Sequence, residues 1–158
     1  IIEYDNHIQP VCLPPQNDFE LDGEGIFVGW DDVHRTTPTR VIIPTVETSL
    51  CHPRFPELSS ISSQRIFCAG YDGKEKGQCL STFGGEFYSL IRPFTVIGIV
   101  TAERKNRTRD CDVNKFTLYT NVAWFVKWIE DAMEMTKEIE WKFVDLKCEK
   151  VNVDDEEM

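Results

Sequence analysis

Short apolar runs rich in β-branched and aromatic residues recur along most of the chain, separated by glycine, proline and polar clusters. That spacing predicts an all-β barrel or sandwich. The clearest strands are Ile26 to Val28, Val41 to Ile43 and Phe94 to Val100, with further strands at Arg65 to Cys68 and Glu86 to Leu90. Proline cannot donate to a ladder, so Pro44 and Pro93 are expected at bulges, edges or strand ends. The run His52 to Pro56 breaks the strand pattern, and a short helical turn is expected after it. The period changes at Val122. Val122, Phe125, Ile129 and Met133 recur at helical spacing and predict a helix over 122–133. Its one apolar face is expected to pack on the core rather than to form a partner groove.

Past Lys137 the apolar residues Ile139, Trp141, Phe143 and Val144 give the segment something to dock with, and Cys148 something to staple it. The final acidic run, Asp154 to Glu157, is expected to be solvated and disordered. The chain therefore divides into a unit at 1–133 and an extension at 134–158 with an acidic tail.

Composition narrows the class. The 158 residues are enough for one domain with a buried core. Hydrophobic residues make up 41% and charged residues 28%, ordinary values for a globular protein. No apolar run approaches the ~18 residues of a membrane span. A net charge of −10 disfavours nucleic acid and anionic membranes, and reads as solubility rather than as an acidic binding face. Six cysteines favour an oxidising compartment, so secretion is expected. The sequon Asn106-Arg-Thr108 fits that setting as a glycosylation site at Asn106. No Cys-x-x-Cys spacing exists, so no metal is expected, and no cofactor motif is present. No signal peptide stands at the start, and upstream sequence is expected.

The most informative stretch is Cys79-Leu-Ser-Thr-Phe-Gly-Gly-Glu86. It resembles the nucleophile segment of the trypsin-like, chymotrypsin-fold serine proteases, whose pattern is Cys-x-Gly-Asp-Ser-Gly-Gly-Pro. Cys79, Gly84 and Gly85 match; the serine position is Phe83. Other family motifs follow in order over roughly residues 7 to 130. Ile8 to Pro14 resembles the segment joining the family's two barrels. Val28-Gly-Trp30 resembles a family strand, continued here by Asp31 instead of glycine. Cys51 and Phe67 to Tyr71 resemble a cysteine pair with its flanks, and Ile97 to Val100 the strand leading to the substrate edge. Phe116 to Thr120, Asn121-Val122 and Trp128-Ile129 resemble the closing strand and terminal helix. The resemblance implies the second antiparallel β-barrel of the fold with a C-terminal α-helix, the catalytic His and Asp lying upstream of Ile1. It also implies disulfides Cys51–Cys68 and Cys79–Cys111. Cys12 then either holds an upstream light chain or pairs with Cys148.

Read position by position, the catalytic parts depart from the family. A phenyl ring at Phe83 has neither a lone pair for attack nor a proton to give up. Ser81 replaces the oxyanion-hole glycine and Thr82 the aspartate that pairs with a new N-terminus on activation. Gly77 replaces the aspartate that selects Lys or Arg, and Thr101-Ala102-Glu103 the Ser-Trp-Gly edge. Thr117 replaces a pocket-wall glycine and narrows the pocket. Ser81 and Ser89 are poor substitutes for a serine whose placement is demanding. The only histidines are His7, His34 and His52; His34, beside Asp31 and Asp32, reads as an exposed loop residue.

The expectation is a secreted, non-catalytic protease homologue, a binding or regulatory module for a protein partner such as a protease, zymogen or inhibitor. The competing readings are an active trypsin-like endopeptidase with a missing half, and a non-functional fragment. In the fragment reading, half of a two-barrel fold exposes the apolar face that normally packs on the other.

Overall fold

A computed structural model describes residues 8, 10–16, 23–30, 38–56, 59–71, 84–90, 94–103 and 116–135, without the side chains of Trp30, Thr39, Thr48, His52 and Glu103. Six strands close a barrel: β1 (Glu24–Trp30), β2 (Pro38–Val46), β3 (Ile66–Ala69), β4 (Glu86–Ser89), β5 (Val96–Glu103) and β6 (Thr117–Asn121). Their order around the barrel is β1-β2-β3-β6-β5-β4, and β4 pairs back to β1. Every pairing of these strands is antiparallel. Closure leaves no free sheet edge among them. Helix α1 (Thr48–Cys51) and a 3-10 turn (His52–Arg54) follow β2, and helix α2 (Val122–Met135) follows β6.

Alternation along the strands fills the interior. Phe27 stands opposite Phe87 in the β1–β4 ladder, and Phe67 opposite Tyr119 in the β3–β6 ladder. With Ile43, Ala69, Ile97 and Val100 they form the inner core. The Phe67 and Tyr119 rings stack with centroids 5.1 Å apart, and Phe87 meets Phe67 edge-on at 5.6 Å. Such pairs add about 0.5–1.5 kcal/mol each beyond the area they bury. The crowding explains a glycine. A Cβ at Gly98 would lie 2.5 Å from Cζ of Phe67 and 3.2 Å from Cβ of Tyr119.

A second cluster lies outside the barrel, on the other face of β3 and β6. Cys51, Phe55, Ile66, Cys68, Phe116 and Leu118 form it. Because both faces of β3 are covered, all four of its residues are buried. The Cys51–Cys68 disulfide ties α1 to β3 with Cα atoms 6.3 Å apart. Arg54 caps the cluster, its guanidinium 4.8 Å from the Phe116 ring centroid.

Two short segments hold the end of the barrel where β6 finishes and β5 begins. Asn121 caps α2: its side-chain oxygen accepts from the Ala123 N–H at 3.1 Å. Its amide donates to the Gln64 carbonyl at 3.0 Å, joining the helix start to the chain before β3. At the same end, just before β5, Cys12 makes a parallel bridge with Thr95. Its N–H donates to Phe94 O at 3.2 Å, and its carbonyl accepts from the Val96 N–H at 3.0 Å. Cys12 is buried and disulfide-bonded, with its partner outside the described residues.

The expected strands are all present, with shifted ends. β5 starts two residues later than expected and runs on to Glu103. Pro44 is not at a strand end. It lies within β2, where pairing passes from β1, through Glu24, to β3, through Thr45 and Val46. Helical structure precedes and enters the His52 to Pro56 run instead of only following it, although a turn from Pro56 O to the Ser59 N–H does come after. The helix stripe also needs correction. The buried residues of α2 are Val122, Ala123 and Val126, while Phe125 and Ile129 are half-buried and Met133 is exposed. The barrel meets the helix through a narrower arc, turned toward the small Ala123. Pro93 lies outside the described residues.

Candidate functional site

The site is built where the turn before β4 meets the second half of β5. Gly84, next in sequence to Phe83, has φ of +80°, a backbone that side chains other than glycine rarely adopt. Its N–H donates to Val100 O at 3.2 Å, and the Gly85 carbonyl accepts from the Val100 N–H at 2.9 Å. These two bonds fix the glycine pair against β5 one residue before Thr101.

At Thr101 the ladder slips. Val100 stands opposite Tyr119 and Ala102 opposite Leu118, so Thr101 is an extra residue on β5. A bulge of this kind bends its strand and re-aims side chains. The Thr101 hydroxyl lies 3.2 Å from the Ile99 carbonyl, to which it donates, and 2.6 Å from the Thr120 hydroxyl. With Thr101 donating to Ile99, Thr120 supplies the proton between the two hydroxyls. Past the bulge, half-buried Ala102 packs on the outer cluster behind the sheet. Glu103 stands opposite Thr117, the residue that opens β6.

The structure thus brings four of the expected pocket positions, Thr101, Ala102, Glu103 and Thr117, onto adjoining strand ends, with Gly84 and Gly85 alongside. Gly77, Ser81, Thr82 and Phe83 lie outside the described residues, as do Cys79, Cys111, Cys148 and Asn106. Two features were not foreseen. Thr120 meets Thr101 only through the register of β5 on β6, which a single sequence does not display. Tyr88, on β4, has its phenol pushed above the ordinary value by burial first, then by the charge of neighbouring Glu86 and a hydrogen bond to it. The pair is Glu-x-Tyr in sequence, and alternation alone would have put both side chains on one face.

Among the described residues no group of His, Cys, Asp and Glu could hold a metal ion. No helix among them is long and apolar enough to cross a membrane.

A closed six-strand antiparallel barrel followed by a terminal helix, with a glycine pair bonded to the strand before the site, defines one barrel of the trypsin fold. The sequence profile of the Trypsin family matches residues 2–129, well over half of the chain. The chain belongs to the trypsin family.

Proposed function

We propose that this chain is a secreted, non-catalytic member of the trypsin family that works as a binding or regulatory module in an extracellular protease cascade. One observation carries the reading: Phe83 holds the nucleophile position, directly before the retained Gly84-Gly85 pair. Acyl transfer needs a nucleophile that a base can deprotonate, and a benzyl side chain offers none. Ser81, Thr82 and Gly77 at the oxyanion, activation and specificity positions support the same conclusion, since each removes a separate part of the machinery.

A surface role follows. The partner is a protein, a protease, zymogen or inhibitor, bound through loops or apolar surface rather than through an extended peptide laid along β5. Glu103 at the substrate edge adds charge and bulk where the family has glycine.

Incubation with a fluorophosphonate probe tests the reading. No residue from 79 to 86 is expected to be labelled, and Phe83→Ser alone is expected to stay unlabelled, because Ser81 and Thr82 still replace the oxyanion-hole glycine and the activation aspartate. Covalent labelling of Ser81 in the unaltered protein would overturn the proposal.

A further inference from the structure

Helix α2 is apolar on two sides. Val122, Ala123 and Val126 are buried against the barrel. Trp124, Trp128, Ala132 and Met135 form a second stripe, spaced four, four and three residues apart. At roughly 100° per residue the centre of this stripe lies about 190° round the helix from the buried one. Its start is partly covered, since the Arg65 guanidinium lies 5.7 Å from the Trp124 ring centroid. Further along, Ala132 is half-buried, but Trp128 is 69% exposed and Met135 79%. A tryptophan and a methionine this exposed on one helix stripe call for a cover.

The last turns of α2 are acidic. Glu130, Asp131 and Glu134 lie near the end of the helix, where the carbonyl dipole disfavours negative charge. The last turn contains no basic residue. Lys127 binds Asp131 at 3.1 Å one turn earlier.

We propose that residues 139–144 of this same chain fold back along α2 and cover the Trp128–Met135 stripe. Three features of the sequence fit that occupant. Ile139, Trp141 and Phe143 alternate with Glu140 and Lys142, so an extended segment presents one apolar face. Residues 136–138 supply enough chain for a reversal. The lengths agree: Ile139 to Phe143 spans about 13 Å when extended, and Trp128 to Met135 rises about 10 Å along the helix. An antiparallel return sets Ile139 near Met135 and Phe143 near Trp128. It also leaves Lys137 at the helix C-terminus, where a cation offsets both the dipole and Glu134. The acidic run at 154–157 lies beyond the docked part.

The test uses the whole chain. In the unaltered protein, proton cross-relaxation is expected between the Trp128 indole and the rings of Trp141 and Phe143. In the double variant Trp141→Ser, Phe143→Ser, amide exchange over residues 128–135 is expected to rise about tenfold, with exchange in the barrel strands unchanged. Absence of those ring contacts in the unaltered protein overturns the proposal, whether or not the variant folds. So does unchanged exchange in a folded variant. A solution dimer that Trp128→Ser converts to monomer would assign the stripe to a second copy and overturn it equally.

Discussion

The two halves of β5 belong to one strand and are held by different things. Val96 to Val100 is fixed by backbone bonds and by the inner core, although Ile99 faces solvent. Val96 is bonded to Cys12 and Val100 to Gly85, and Ile97 and Val100 enter the inner core. Gly98 has no room for even a methyl group against Phe67 and Tyr119. Thr101 to Glu103, past the bulge, is tied more loosely. Thr101 is exposed and bonds through its hydroxyl, and Ala102 packs on the outer cluster. The first half reads as the family's motif and the second departs from it. Packing constrains the residues that close the barrel, whereas the strand end needs only a backbone that continues the ladder. A trypsin-family barrel can therefore keep its fold while the positions along its cleft change.

That contrast makes a core aromatic the largest expected loss. Phe67 touches both Phe87 and Tyr119 and sits under Gly98. Phe67→Ala leaves a cavity in a closed barrel that cannot easily collapse, and is expected to cost about 3–5 kcal/mol in denaturant unfolding. A loss below about 1 kcal/mol would mean that the inner core is not what holds the first half of β5.

The cluster behind the second half comes next. Cys51 and Cys68 are 17 residues apart in sequence, and closing a loop of that length restricts the unfolded chain by about 3 kcal/mol. The paired change Cys51→Ala, Cys68→Ala is expected to lower stability by about that amount under non-reducing conditions. Because Ala102 packs on this cluster, amide exchange at 102 and 103 is expected to quicken more than at 97 to 100. Equal acceleration in both halves would erase the distinction between them.

The sequence displays these regions unequally. Strands β1, β2, β4 and β5 carry β-branched and aromatic runs between turn residues, and their presence was legible. The Cys51–Cys68 bond followed from the family resemblance and is present. Phe55 was not legible as core, because it packs outside the barrel and belongs to no alternating run. Ala123 was passed over because helical periodicity weights large side chains, while close approach of a helix to a barrel selects small ones. Of the candidate site, residue identities could be read directly, and they say what chemistry is missing. The bulge at Thr101 could not be read, since it depends on where β5 pairs with β6 and leaves no mark in either strand alone.

The smallest effect lies at that bulge. Thr101→Val keeps the β-branch that suits a strand and removes only the hydroxyl shared with Thr120 and the Ile99 carbonyl. Both groups have ready access to water in place of the lost partner, since Thr101 is exposed and Thr120 only half-buried. An intramolecular hydrogen bond contributes about 0.5–1.5 kcal/mol net, and less when solvent can substitute for it. Thr101→Val is therefore expected to change stability by no more than about 0.5 kcal/mol, measured beside Phe67→Ala in the same denaturant series. A loss above about 2 kcal/mol would place Thr101 among the residues that close the barrel. The bulge would then be a structural joint, and the two halves of β5 would be held alike.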